Sequence, residues 1–151
     1  MFKLKFDFDI QDLLFGLRGG KKVSLIKSFP SFFPANCPPD DAVENELVVY
    51  RYTHNSPPTE DDFKSHYEID SERYKDIVDA YSLSVISNLD SAKNGLELNP
   101  GLRKKFKYIA SGKVTKDSGV IKCTPSKNQK YHMSWWLYKG IKPSKDFTIC
   151  E

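Results

Sequence analysis

No stretch of this 151-residue sequence approaches the roughly 18 uninterrupted apolar residues that a membrane-spanning helix needs, so no membrane role is expected. Cysteine is sparse: Cys37, Cys123 and Cys150 make an odd count at wide spacing, with no C-x-x-C pair. That pattern argues against a disulfide framework and a zinc knuckle, and a reducing cytoplasm is its simplest home. Cys123, in a strand-like stretch, reads as a core residue rather than a nucleophile. Histidine is equally sparse. His54, His66 and His132 include no helical H-x-x-x-H pair, so no metal site is expected. There is no G-x-S-x-G elbow, no phosphate-binding P-loop and no G-x-G-x-x-G turn, which weighs against serine hydrolases, P-loop nucleotide hydrolases and Rossmann enzymes. Charges at alternate positions break up the first ten residues, unlike the continuous apolar run of a signal peptide. Residues 125–145 hold no glutamate.

What is present suffices for one hydrophobic core, and residues 1–151 read as a single domain. Charge is uneven. Residues 1–100 carry 11 Lys/Arg against 17 Asp/Glu, whereas residues 101–151 carry 12 against 3, so a net −6 faces a net +9.

Phe2, Leu4, Phe6, Phe8 and Ile10 alternate as one face of a first strand. Gln11 to Arg18 follows as a short helix closed by Gly19-Gly20, with a short strand over Val23 to Ile26. Ser28 to Pro39 is an extended, proline-fixed loop whose aromatics must pack somewhere. Glu46 to Thr53 is a strand, rich in β-branched and aromatic residues. Pro57-Pro58 stops it, and Thr59 is a natural N-cap for a helix from Glu60, with Asp61 and Asp62 in its first turn. A further helix is expected after Asp70 or Ser71, because Tyr74, Ile77, Val78 and Tyr81 follow i, i+3, i+4, i+7 spacing. Ser82 to Ser87 is the next strand. Asn88 or Asp90 then caps a short helix through Ala92, which Asn94-Gly95 ends. Lys107 to Val114 and Val120 to Thr124 flank Lys116-Asp117-Ser118-Gly119 at hairpin spacing. Tyr131 to Tyr138 and Phe147 to Cys150 complete the strands. The sum is an α+β fold: a mixed or antiparallel sheet, with helices mainly in the first two-thirds.

Tyr50-Arg51, at the end of an early strand just before His54 and a turn, carries the most functional information. Ser82-Leu83-Ser84 follows on a later strand, with Ala92 in the next helix, and Tyr131 to Tyr138 precedes a final Phe147-Thr148-Ile149. Across residues 46 to 150 this layout resembles the ADP-ribosyltransferase superfamily. The resemblance implies an NAD-using, toxin-type enzyme or a degenerate relative. Arg51 would hold the dinucleotide phosphates by paired hydrogen bonds, and Ser82 and Ser84 would brace the nicotinamide ribose. Tyr50, His54 and Trp135 would complete the cofactor contacts. The superfamily's late glutamate is missing, which leaves His132, Ser134 or Glu68 to stand in.

Two further readings stand beside it. One is a non-enzymatic immunity or inhibitor protein that meets a protein partner through an exposed charged and aromatic surface. Trp135 and Trp136 fall on opposite strand faces, so one is expected in the core and the other exposed or half-covered, an anchor if exposed. The other is weak nucleic-acid binding through the lysines of the last third. The run Pro57 to His66 also resembles a segment of small bacterial proteins, which implies a bacterial or phage source.

Overall fold

The computed structural model describes residues 26–151. The strand expected over residues 2–10, the helix over 11–18 and most of the strand over 23–26 lie outside the described residues. Six strands form one sheet: β1 (Leu47–Thr53), β2 (Leu83–Ile86), β3 (Tyr108–Val114), β4 (Gly119–Cys123), β5 (His132–Leu137) and β6 (Thr148–Ile149). Their order is β4-β5-β2-β1-β3-β6, and every pairing is antiparallel. The helices are short: α1 (His66–Ile69), α2 (Ser71–Tyr74), α3 (Leu89–Leu98) and α4 (Pro100–Lys105), with single 3-10 turns at Glu60–Phe63, Val78–Tyr81 and Pro143–Lys145. This is the expected α+β class. No helix among the described residues is long and apolar enough to cross a membrane.

The sheet curls. Val43, four residues before β1, exchanges both backbone hydrogen bonds with Ile121 on the outer edge of β4, at 3.0 and 2.8 Å. Leu47 meanwhile pairs with Val114 at the end of β3. The path from Val43 through β1 therefore runs antiparallel first to β4 and then to β3, which brings distant strands of the sheet together. Inside the curl lie Val49, Leu83, Val85, Val114, Ile121, Met133 and Trp135, closed off by Phe63 and Phe147. Ala92 of α3 packs outside against Ile86 and Ile109. Trp136 and Val120 pack outside under Cys37, Tyr81 and the aromatic loop of Phe29 and Phe33.

Several expectations are corrected. β3 and β4 do not form a hairpin. Both sides of β3 are already taken, by β1 and β6, and Ser118 turns the chain into a corner instead. Its Oγ accepts from Thr115 N at 3.0 Å and donates to Thr115 O at 2.8 Å. The helix expected after Asp70 stops at Tyr74. An α-helix would need Lys75 O to accept from residue 79, but the Tyr81 hydroxyl donates to that carbonyl at 2.9 Å. Ile77 is accordingly extended and exposed. The helix from Glu60 is a single 3-10 turn, and α3 runs on past Asn94-Gly95 to Leu98. Neither tryptophan is exposed, because β5 is covered on both faces: Trp135 is 1% accessible and Trp136 0%. Cys123, expected in the core, is exposed at the end of an edge strand.

Candidate functional site

β1 and β2 pair at one register point, Tyr50 with Ile86, and Arg51 sits beside that single link. Its side chain does work that ladder amides do elsewhere in the sheet. Nε donates to Asp62 O at 2.7 Å, Nη1 to Ser84 O at 2.8 Å and Nη2 to Lys64 O at 3.4 Å. The guanidinium also lies 5.6 Å from the Phe63 ring centroid. Burial lowers its pKa to about 10, against the raising influence of Asp62 and Glu68, so it remains a cation at neutral pH. Three of an arginine's five N–H donors are thus engaged by carbonyls of the described residues.

Asp62 organises the turn after β1. Its carboxylate accepts from His54 N at 2.7 Å, Thr59 N at 2.9 Å and Asn55 Nδ2 at 3.1 Å. Burial works to raise its pKa, but these hydrogen bonds outweigh it and hold the carboxyl below its ordinary value.

Beside Arg51 opens a cleft of about 790 Å³. Tyr50, Arg51 and His54 from the β1 end, Ser82 just before β2, Ser84 within it, and His132 from β5 all line it. The sheet thus brings together six of the seven residues singled out in the sequence. Trp135 is the exception, being buried inside the curl. Ser84 presents an exposed side chain, whereas Ser82 is buried and its Oγ donates to Asp79 O at 2.6 Å. His132 is fixed at Nδ1, 2.8 Å from Thr124 Oγ1 and 3.0 Å from Thr124 O. Since a carbonyl only accepts, the second contact puts the proton on Nδ1 and leaves Nε2 as the acceptor nitrogen. Burial lowers the pKa of His132, against the raising effect of that backbone bond, and keeps the ring neutral at pH 7.

Sequence reasoning missed the opposite wall. Gly95 lets α3 approach β1 closely, because a Cβ there would meet Tyr52 Oη at 2.5 Å. Tyr52 Oη donates to Ala92 O at 2.7 Å, and Gln129 joins the 126–129 turn to Ser91 by a 2.5 Å hydrogen bond. A glycine followed by an asparagine cap at Asn99 was the available signal, obscured because Asn94-Gly95 has the sequence of a helix end. His66 and Lys105 also line the cleft, and burial lowers the His66 pKa, helped by Lys105, Arg51 and Arg73. Burial thus favours the neutral form of His66 and His132, and Arg51 and Lys105 bring positive charge to the cleft.

The carboxylates on the described wall are Asp61, paired with Lys64 at 3.0 Å, and the fully engaged Asp62. Of the residues proposed to replace the missing glutamate, Glu68 caps α1 by accepting from Ser65 N at 3.0 Å, and Ser134 is buried against Thr124 at 2.9 Å. Neither lines the cleft, and His132 does. Comparison with protein-family models, with curated proteins and with solved structures finds no match for this chain.

Proposed function

We propose that this cleft binds an NAD-type dinucleotide and that the protein is an ADP-ribosyltransferase-like binder in which binding outruns transfer. The observation that carries the reading is the convergence of Tyr50, Arg51, His54, Ser82, Ser84 and His132 on one cleft from three separate strands. The Arg51 N–H groups not engaged by the described residues, with Lys105, meet the phosphates. Ser84 offers a hydroxyl to a ribose, and half-buried Tyr50 offers a ring to nicotinamide. His132 supplies a lone pair but no negative charge, so an oxocarbenium-like centre finds no free carboxylate on this wall.

Calorimetry on folded protein with millimolar NAD should give a saturable heat, with nicotinamide release far slower than exchange of the bound NAD. Ser84→Phe fills the cleft without removing a side-chain hydrogen bond and should weaken binding at least about tenfold. Arg51→Ala is the poorer test, because it also strips hydrogen bonds from three main-chain carbonyls. No heat from the native protein at millimolar NAD would end the reading.

A second reading, a protein partner seated over the same cleft, draws support from its lips. Leu98 and Ile69 border the cleft and are 78% and 67% exposed, beside the basic end of α4.

A further inference from the structure

Three basic side chains line the cleft from three different elements: Arg51 from β1, His66 from α1 and Lys105 from the last turn of α4. The His66 imidazole is held in place by α2. Its ring centroid lies 5.2 Å from that of Tyr74, at a tilt of 30°, and the Arg73 guanidinium lies 5.2 Å from the centre of the same Tyr74 ring. The other element packed on α1, the Val78–Tyr81 turn, meets it through the Tyr67–Tyr81 ring pair at 4.2 Å. On His66's own helix, Glu68 is engaged at the cap, where it accepts from Ser65 N and Ser65 Oγ at 3.0 and 3.1 Å. The groups whose charge reaches the imidazole are cations. Burial first, then Lys105, Arg51 and Arg73, lowers its pKa.

That arrangement favours a neutral ring in the empty cleft. A ligand with two negative charges, placed among Arg51, Lys105 and His66, offsets the field of the cations, and the same ring then gains by taking a proton and donating to a phosphate oxygen. We infer that His66 is a third phosphate-binding group of the cleft, beside Arg51 and Lys105, and that it takes up a proton as the pyrophosphate of a dinucleotide binds. The inference rests on the reading of the cleft as a dinucleotide site and adds a regulation to it, the coupling of occupancy to pH. The sign follows from linkage. A ligand that raises the pKa of a group binds the protonated protein more tightly, so affinity rises as pH falls through the pKa of the complex. The phosphates of such a ligand are diesters and stay ionised near neutrality, so the proton taken up belongs to the protein.

ADP-ribose, which carries the pyrophosphate without nicotinamide, is the probe. Calorimetry in two buffers of unlike ionisation enthalpy should show uptake of about half a proton per ADP-ribose at about pH 7, with affinity rising about threefold or more from about pH 8 to about pH 6. His66→Gln, at an exposed position, should match the native affinity at the upper pH and lose both the uptake and the rise. The imidazole resonances should show His66, rather than His54 or His132, titrating at a higher pH in the complex. Binding without proton uptake would overturn the inference and leave the dinucleotide reading standing, as would a pH dependence that survives in His66→Gln. No heat from ADP-ribose would overturn it too, and NAD titrated alongside would show whether the dinucleotide reading falls with it.

Discussion

Asp62 shows how little a side chain's role depends on its place in a helix pattern. In the sequence it is one of three acids in a first turn, with Glu60 and Asp61. In the structure its oxygens fasten His54, Asn55 and Thr59 to the end of β1 and so set one rim of the cleft. Asp62→Ala should cost about 2–3 kcal/mol in urea unfolding at pH 7, because it orphans two backbone N–H groups. The folded pKa lies below the unfolded one. The carboxylate's contribution is therefore complete above the ordinary carboxylate pKa and is lost as pH falls through the depressed folded value. The gap between native and variant stability should accordingly narrow below about pH 4. A gap independent of pH would mean that the carboxylate charge contributes nothing. At this scale the sequence placed Arg51, Ser84 and His132 on the strands where they are found, whereas Ser82 falls just before β2 with its side chain buried. It did not reveal that Arg51 is largely consumed by carbonyls, because those belong to turns whose placement only the tertiary structure decides.

Among the elements, strands were more legible than helices. β1, β2 and β5 lie within about a residue or two of their expected bounds, because runs such as Val48-Val49-Tyr50 leave few alternatives. The helix stripe ending at Tyr81 misled because its ring belongs to the aromatic cluster over Trp136, and its hydroxyl interrupts the helix that the spacing implied. β3 offers a sharp test of packing. A Cβ at Gly112 would run into the ring of Phe147, which closes the core. Gly112→Ala should lower stability by about 2–3 kcal/mol, whereas Ser111→Ala beside it should change it by less than 1 kcal/mol. Comparable thermal unfolding of the two variants would show that Phe147 yields freely.

For the whole molecule, the curl was the least legible feature. It depends on Val43 reaching Ile121 across 78 residues of sequence, and no local pattern encodes that. Val43 is 55% exposed, so its contribution is almost wholly through its backbone. Val43→Ala should be nearly neutral, while Val43→Pro removes the amide that donates to Ile121 O and should cost about 1–3 kcal/mol. Hydrogen exchange should then quicken at β4 before it does at β1. The lysines of the last third do not lie along one hairpin, since β3 and β4 pair with different neighbours, and Lys122 is bound to Asp41 at 3.1 Å. The tryptophan anchor expected for a protein partner is absent from the described surface, both rings being buried.

The curl also bears on how the chain avoids sticking to itself. A β-sheet invites addition of foreign strands wherever a long row of amides and carbonyls faces solvent. Here the outer side of β4 is occupied at its middle by Val43, and the outer side of β3 is shielded by the two-residue β6 and by the bond from Cys150 N to Ile109 O. An extended peptide from another molecule finds only short, interrupted stretches on which to zip. A fold with hydrophobic strands such as Val48-Val49-Tyr50 and Met133-Ser134-Trp135-Trp136 is thereby kept from templating aggregates through its sheet edges, and recognition is left to its loops and hollows.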